Sequence, residues 1–377
     1  MENSTERAMF RKVCRRFTEN ELTPHAHEWE EAGMFPRELY RKAAAVGILG
    51  AGYPEAYGGS GGDKLFSLIA AEEMLWAGST GIVVGLQSLG IALPSIILLG
   101  NEDQKQRLIP PLLSGEKIAA LGVTEPGAGS DVSGITTTAV RDGDTYVLNG
   151  AKLFITSGVR ADTVVVLART SEDRHGGLTF FVVEKGMPGF EASRALQKTG
   201  WWASDTAELV LDNVRVPIEN RLGAEGTGFP TVMQTFVGER LFLAFLGHQT
   251  AHIVLEDALA YTRERQLFGK KLSQFQLTHH KLADMRTQVE VARSFNYQLA
   301  DRVLNGESPT AEVAMAKNFS ADVALKVSYE AVQLLGGMGY MRETRVERLS
   351  RDARLLPIGG GTTEIMNEII AKVALKL

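Results

Sequence analysis

The sequence predicts an α+β fold in three parts: helical, then β, then helical. Three observations over the 377 residues lead there. Up to about residue 118, apolar residues recur at helical spacing. From 119 to about 224 the pattern becomes short runs of β-branched and aromatic residues with no helices between them, which argues a small antiparallel β domain and not a doubly wound sheet. From 225 onward the helical period returns and includes a segment that is apolar on every face. The expected domains are therefore 1–118, 119–224 and 225–377.

In the first part, Met9, Phe10, Val13 and Phe17 form one stripe, and Leu65, Leu68, Ile69 and Met74 another. Pro36 precedes Arg37-Glu38-Leu39 as a helix-opening proline does. The run from Pro54 to Gly62 is a loop by composition. In the second part, strands are expected over Thr145–Leu148, Thr163–Leu167, Leu178–Val183 and Ala207–Leu211, with Asp142-Gly143 as a hairpin turn and Val214–Pro217 closing the domain. In the third, Pro230 opens a long helix through Glu239 whose stretch Leu241–Leu246 must be buried. Further helices are expected over 278–305, 310–335 and 363–376, with a break at Gly336-Gly337-Met338-Gly339.

Composition excludes several function classes. A net charge of −5, spread along the chain, gives no case for nucleic-acid binding. Cys14 is the only cysteine, so an intrachain disulfide is impossible and a reducing, cytoplasmic setting is expected. Residues Met1–Arg7 are polar without an apolar signal core, and no run reaches the ~18 apolar residues of a membrane span. The pair His248/His252 has the i, i+4 spacing of zinc ligands, but Gln249 replaces the glutamate of H-E-x-x-H, and His25/His27 and His279/His280 lack companions. No metal is expected.

Two runs carry chemistry together. Val123-Thr124-Glu125-Pro126-Gly127-Ala128-Gly129-Ser130-Asp131 is a glycine-rich loop able to cradle phosphate or ring oxygens. It misses the dinucleotide fingerprint, since Val132 stands where a third glycine belongs. About twenty residues on comes Leu148-Asn149-Gly150-Ala151-Lys152-Leu153-Phe154-Ile155-Thr156-Ser157-Gly158. Together they resemble the flavin-binding signature of the acyl-CoA dehydrogenase family, and three further segments follow in family order: Arg265-Gln266-Leu267-Phe268-Gly269-Lys270, Gln333 to Gly337, and Pro357 to Glu364.

That resemblance implies a barrel-like β domain, a C-terminal four-helix bundle and a homotetramer, with FAD lying between the β domain and the bundle. It places Leu121, Val123, Thr124, Gly129, Ser130, Phe154 and Thr156 on flavin-contacting positions. Arg265 matches an arginine that holds the cofactor pyrophosphate from a neighbouring subunit; Phe268, Gln276, Gln333 and Gly337 lie in matching cofactor segments, and Thr362 and Glu364 beside the flavin. Ser130, Arg240 and Gly359 fall on substrate-binding positions. The implied partners are an acyl-CoA substrate and electron-transfer flavoprotein.

Dehydrogenating an acyl thioester needs a carboxylate in a dry site to take the α-proton. Many members carry it in a Y-E-G-T motif, where this chain has Gly359-Gly360-Gly361-Thr362, so Gly360 leaves the usual base position empty. Isovaleryl- and long-chain-type members carry the base on the long helix instead, in E-R-L, and this chain reads Gly238-Glu239-Arg240-Leu241 there. A Glu-Arg dipeptide is ordinarily a local ion pair. The complementary glycine at 360 favours Glu239 as the base. Gly360 keeps its N–H, which in the family binds the thioester oxygen, and Gly359 with Gly360 leaves room for long or branched acyl chains. Trp202 stands where a basic residue is common. Two rivals use the same scaffold: a flavin oxidase or monooxygenase, and a non-catalytic subunit of a hetero-oligomer.

Overall fold

The computed structural model describes residues 4–377, apart from the side chain of Ser193. Met1–Asn3, part of the polar N-terminus noted above, lie outside the described residues. The first part contains α1 (Thr5–Phe17), α2 (Ala26–Ala32), α3 (Glu38–Ala45), α4 (Lys64–Met74), α5 (Thr80–Leu86), α6 (Leu89–Leu99) and α7 (Glu102–Leu113). Side chains of Ser4, Asp63 and Ser79 cap α1, α4 and α5, and Asn101 with Gln104 forms a capping box on α7. The expected stripe on α1 is half right. Phe17 is buried, but Met9 and Val13 are exposed and Cys14 takes the inward position.

Contrary to the expectation that no segment could span a membrane, Thr80–Leu99 is long and apolar enough by composition. A count of consecutive apolar residues misses it because Gln87, Ser88 and Ser95 interrupt the run. It folds as α5 and α6, which meet at Gln87-Ser88 and are largely buried inside the protein.

The β domain follows with β1 (Ala119–Gly122), β2 (Thr138–Asp142), β3 (Thr145–Thr156), β4 (Thr163–Arg169), β5 (Leu178–Glu184), β6 (Phe190–Ala195), β7 (Thr206–Pro217) and β8 (Arg221–Leu222). The sheet order is β6-β7-β3-β2-β4-β5-β8, with β1 beside β4. Most pairs are antiparallel as expected, including the β2–β3 hairpin at Gly143, but β1 runs parallel to β4 from Ala119↔Thr163 to Gly122↔Val166, and β2 meets β4 in parallel at Thr138↔Arg169. The connection from β1 to β4 is long enough to return in the same direction, which no short-range pattern reveals. Strands β4 and β5 read as unbroken apolar runs because both faces are covered. Val164, Val166 and Phe181 enter the core of the β domain, whereas Val165, Leu167 and Phe180 join the larger core shared with the helices.

The last part is built on α8 (Gly228–Glu264), followed by the two-residue strands β9 (Gln266–Leu267) and β10 (Lys270–Lys271), then α9 (Gln276–Leu304), α10 (Thr310–Leu335), α11 (Arg345–Ala353) and α12 (Thr363–Val373). The expected break is a 3₁₀ turn over Gly336–Tyr340. Leu241, Ala244 and Phe245 of α8 pack with Leu65 and Ile69 of α4, Tyr297 of α9 and Val313 of α10, so the all-apolar segment is buried within a single chain. Helices α8 and α10 approach very closely: a Cβ on Gly247 would lie 2.7 Å from the Ser320 carbonyl oxygen.

Candidate active site

Between the β domain and α8 opens a cavity of about 1480 Å³. Leu121, Val123, Thr124, Gly129, Ser130, Phe154 and Thr156 line it from the β domain. Glu239 and Arg240 line it from α8, and Gly359, Gly360, Gly361 and Thr362 from the turn before α12. The first two sequence motifs, the helix motif and the C-terminal motif thus meet in one space.

The β-domain wall is preorganised by a buried ion pair that sequence reasoning missed. Glu125 and Ala128 close the glycine-rich loop through reciprocal backbone hydrogen bonds of 2.9 and 3.2 Å. The Glu125 carboxylate accepts from Thr136 N and Oγ1, from Thr137 N and from Lys152 Nζ, all at 2.8–2.9 Å. Burial pushes Glu125 up, but Lys152 and these donors outweigh it and hold the carboxyl well below its usual range. The signal was Lys152 itself, a charge in the middle of a strand whose Leu148 and Ile155 are buried.

Phe154 sits at an irregularity in the β3–β7 pairing, between Lys152 and Ile155. Its φ is +61°, a sterically costly conformation for an aromatic residue, and its side chain is 63% exposed although it lines the cavity. Such a bulge re-aims a side chain, here presenting a flat apolar face into the cavity beside the hydroxyls of Thr124, Ser130 and Thr156. That wall fits a planar heteroaromatic ring with hydrogen-bonding edges.

On the opposite wall, Glu239 is half-buried and its carboxylate makes no hydrogen bond or ion pair among the described residues. Desolvation raises its pKa to about 7, against the opposing charges of Arg240 and Lys317. Arg240 does not pair with Glu239; its Nε donates to the Gly360 carbonyl oxygen at 3.1 Å. Gly360 has φ +64°, and a Cβ built on it would meet Leu243 Cδ1 at 2.5 Å and lie 3.7 Å from Glu239 Oε1. Position 360 and the Glu239 carboxylate are therefore neighbours in the cavity wall, and Leu243 fills the space a side chain at 360 would need. The Gly360 N–H has no partner among the described residues.

Other expected residues lie elsewhere. Arg265, Phe268, Gln276, Gln333 and Gly337 are exposed and none lines the cavity of their own chain; Phe268 is 96% exposed at φ +51°. A single chain does not bring them to the site. Glu364 also departs from its expected place, since it is exposed at the N-terminus of α12, outside the cavity lining, and the helix-end N–H groups and the Thr362 hydroxyl keep its pKa low. Trp202 packs between two guanidinium groups, with Arg351 Cζ 3.7 Å and Arg342 Cζ 4.4 Å from its ring centroid, so its role is packing. Its neighbour Trp201 lines the cavity, as do Met233 and Phe236 of α8. His248 is engaged with Glu72 and Asn296 inside the helical core.

The three parts of the chain match three family models: the acyl-CoA dehydrogenase N-terminal domain over residues 4–116, the middle domain over 120–214 and the C-terminal domain over 226–375. The chain belongs to the acyl-CoA dehydrogenase family. The long-chain specific acyl-CoA dehydrogenase of Sus scrofa mitochondria is 40% identical over 372 residues, 98% of this chain and 86% of that protein. A short-chain specific acyl-CoA dehydrogenase of Clostridium acetobutylicum is also 40% identical, over 97% of each chain. The crystal structure of a probable acyl-CoA dehydrogenase from Mycobacterium abscessus superposes with a TM-score of 0.97 at 50% identity, over 99% of both chains. Long-chain and short-chain relatives are equally similar, so identity alone carries no chain-length preference. Family members are FAD-dependent oxidoreductases acting on acyl-CoA, and the wall around Phe154 has the shape and polarity such a cofactor requires.

Proposed function

We propose that this chain catalyses α,β-dehydrogenation of an acyl-CoA to the trans-2-enoyl-CoA, with Glu239 as the base. The observation that carries the reading is that positions 239 and 360 are neighbours in one cavity wall: a carboxylate without a hydrogen-bond partner among the described residues lies 3.7 Å from where a Cβ on the glycine would sit. Its pKa of about 7 leaves it substantially ionised at neutral pH yet basic enough to accept a carbon-bound proton. The free Gly360 N–H, in the same cavity wall, is a donor for the thioester oxygen as negative charge develops on it. Thr124, Ser130, Phe154 and Thr156 would hold the FAD ring, and bound FAD supplies the acceptor for the β-hydride.

Several finer assignments belong to the same reading. A Cβ at Gly359 would sit in ordinary contact with Leu355 O and Cγ at 3.7 and 3.8 Å, so glycine there makes the cavity wall one side chain thinner, which supports a long or branched acyl group. The exposed Arg265, Phe268, Gln276, Gln333 and Gly337 fit contacts with a second copy in a homotetramer. Electrons pass to electron-transfer flavoprotein, and the setting is cytoplasmic.

The test is an anaerobic titration of the flavin-loaded protein with straight and branched acyl-CoAs, following loss of oxidised-flavin absorbance. Wild type should bleach, with a preference that names the substrate. Glu239→Gln should bleach at least ~10³-fold more slowly. Equal rates would relocate the base, and no bleaching with any thioester would return the chain to the silent-subunit reading.

A further inference from the structure

Lys317 is a buried cation that the chemistry above does not use. It lies on α10 at 1% exposure, beside Ala314, Ala316 and Ala321, which are also buried. Burial pushes its pKa down to about 8, so keeping it charged there is unfavourable. Its one hydrogen bond among the described residues runs from Nζ to the Gly361 carbonyl oxygen, at 2.7 Å. The next residue, Asn318, donates from Nδ2 to Thr363 O and to Asn367 Oδ1, both at 3.1 Å. Arg240 holds the Gly360 carbonyl from the α8 side. The glycine turn is thus gripped from two helices at the peptide planes that follow Gly360, where φ is +64° and then +104°.

Glycines at such angles have no side chain to restrain them and many alternative conformations to fall into. Without fixed carbonyls, the N–H of Gly360 would not hold one direction. A neutral donor would serve to anchor a carbonyl; an ammonium group also places fixed positive charge behind the turn that must face a developing enolate.

We propose that Lys317 is a positioning residue for the reaction. By clamping Gly361 in concert with the Arg240–Gly360 contact, it aims the Gly360 N–H into the cavity and keeps a positive charge beside Glu239. The proposal rests on Gly360 being the oxyanion donor of the dehydrogenase reading. The charged groups around Lys317 are Glu239 and Arg240 from α8, Asp322 on α10 itself and Glu364 at the start of α12.

The test compares flavin-loaded Lys317→Met, Lys317→Gln and Lys317→Arg with wild type. Anaerobic stopped-flow gives the flavin-reduction rate against pH, and calorimetry gives the acyl-CoA dissociation constant. Lys317→Met should reduce flavin about 10- to 100-fold more slowly, while the dissociation constant changes by no more than about threefold. Only ionised Glu239 accepts the proton, and Lys317 favours that form. Met and Gln should therefore move the acid limb of the rate profile to higher pH, by about half a unit or more, and Arg should restore it.

A Met variant with wild-type rate and an unmoved limb overturns the role of Lys317 while the dehydrogenase reading stands. An Arg variant as slow as Met, with an equally displaced limb, likewise overturns it, because the charge would then be irrelevant. If no acyl-CoA bleaches wild type, the dehydrogenase reading fails first and takes this proposal with it. Should Lys317→Met not load flavin, Lys317→Gln decides by the same two readouts.

Discussion

Along α8, the helix's own Glu239 and the Glu72 that reaches His248 from α4 lie about two and a half turns apart, and the fold treats them in opposite ways. Glu72, from α4, faces His248 and is fully partnered: His248 Nε2 at 2.9 Å, Arg11 at 2.9 Å and the Tyr297 hydroxyl all bind its carboxylate. Burial alone would raise its pKa, yet these partners bring it down to about 2. Glu239 has no such partners among the described residues, and desolvation brings it up to about 7. Burial therefore does not make a carboxylate reactive. What decides is whether the surrounding side chains satisfy it or leave it waiting for a ligand.

The sharpest way to break this comparison is to neutralise each glutamate in turn. Glu239→Gln should abolish nearly all flavin reduction yet leave the protein folded, because no hydrogen bond or ion pair among the described residues is lost. Glu72→Ala should do the reverse. It takes the carboxylate away from the buried His248 and Tyr297, while Arg11 keeps Glu73, so it should lower stability by about 3–5 kcal/mol in denaturant titration, with the folded fraction still reducing flavin at its usual rate. Equal loss of activity in both variants would mean that the two sites are not separate.

The pH dependence of stability sharpens the contrast. Glu72 is lowered from 4.5, so its contribution is fully present above that value and disappears as pH falls towards about 2. Glu239 is raised from 4.5, so the folded state favours its protonated form, and stability is lost as pH rises from about 4.5 through about 7. Glu239→Gln removes that loss. Its melting temperature relative to wild type should therefore climb between pH 5 and pH 8, a gain of about 1–3 kcal/mol at the upper end. A difference that stays flat over this range would mean that Glu239 is not raised.

A smaller effect is expected at Gly238, which precedes Glu239 inside α8. It is exposed, and a Cβ there would meet nothing within 4 Å. Gly238→Ala should stabilise by up to about 1 kcal/mol and leave the Michaelis constant unchanged. A raised constant would show that acyl-CoA passes over this position and needs the missing side chain.

Much of this was legible in the chain itself. The order of helical, β and helical periods predicted the architecture, and Gly360 read against Glu239 singled out two positions that the structure brings together in one cavity. What escaped shares a cause. Lys152, Lys317 and Glu72 act through partners far away in sequence, and nothing local distinguishes a buried lysine from a solvated one until the helices and strands are packed. The parallel β1–β4 pair depends on a long return path for the same reason. Met9 and Val13 have the spacing of a core stripe, but α1 turns Cys14 inward instead. Arg265, Phe268 and Gln276 match their motifs and yet stand outside the cavity of their own chain, which no spacing along the sequence reveals.

The most direct test of the central claim separates proton removal from hydride transfer. An acyl-CoA whose β-carbon carries no hydrogen cannot be dehydrogenated, but its α-hydrogens still exchange with solvent if a base removes them. The flavin-loaded protein in deuterium oxide, followed by mass spectrometry of the recovered thioester, should incorporate α-deuterium, and Glu239→Gln should lose that exchange. Exchange at the wild-type rate in Glu239→Gln would contradict the account, because another group would then be taking the proton.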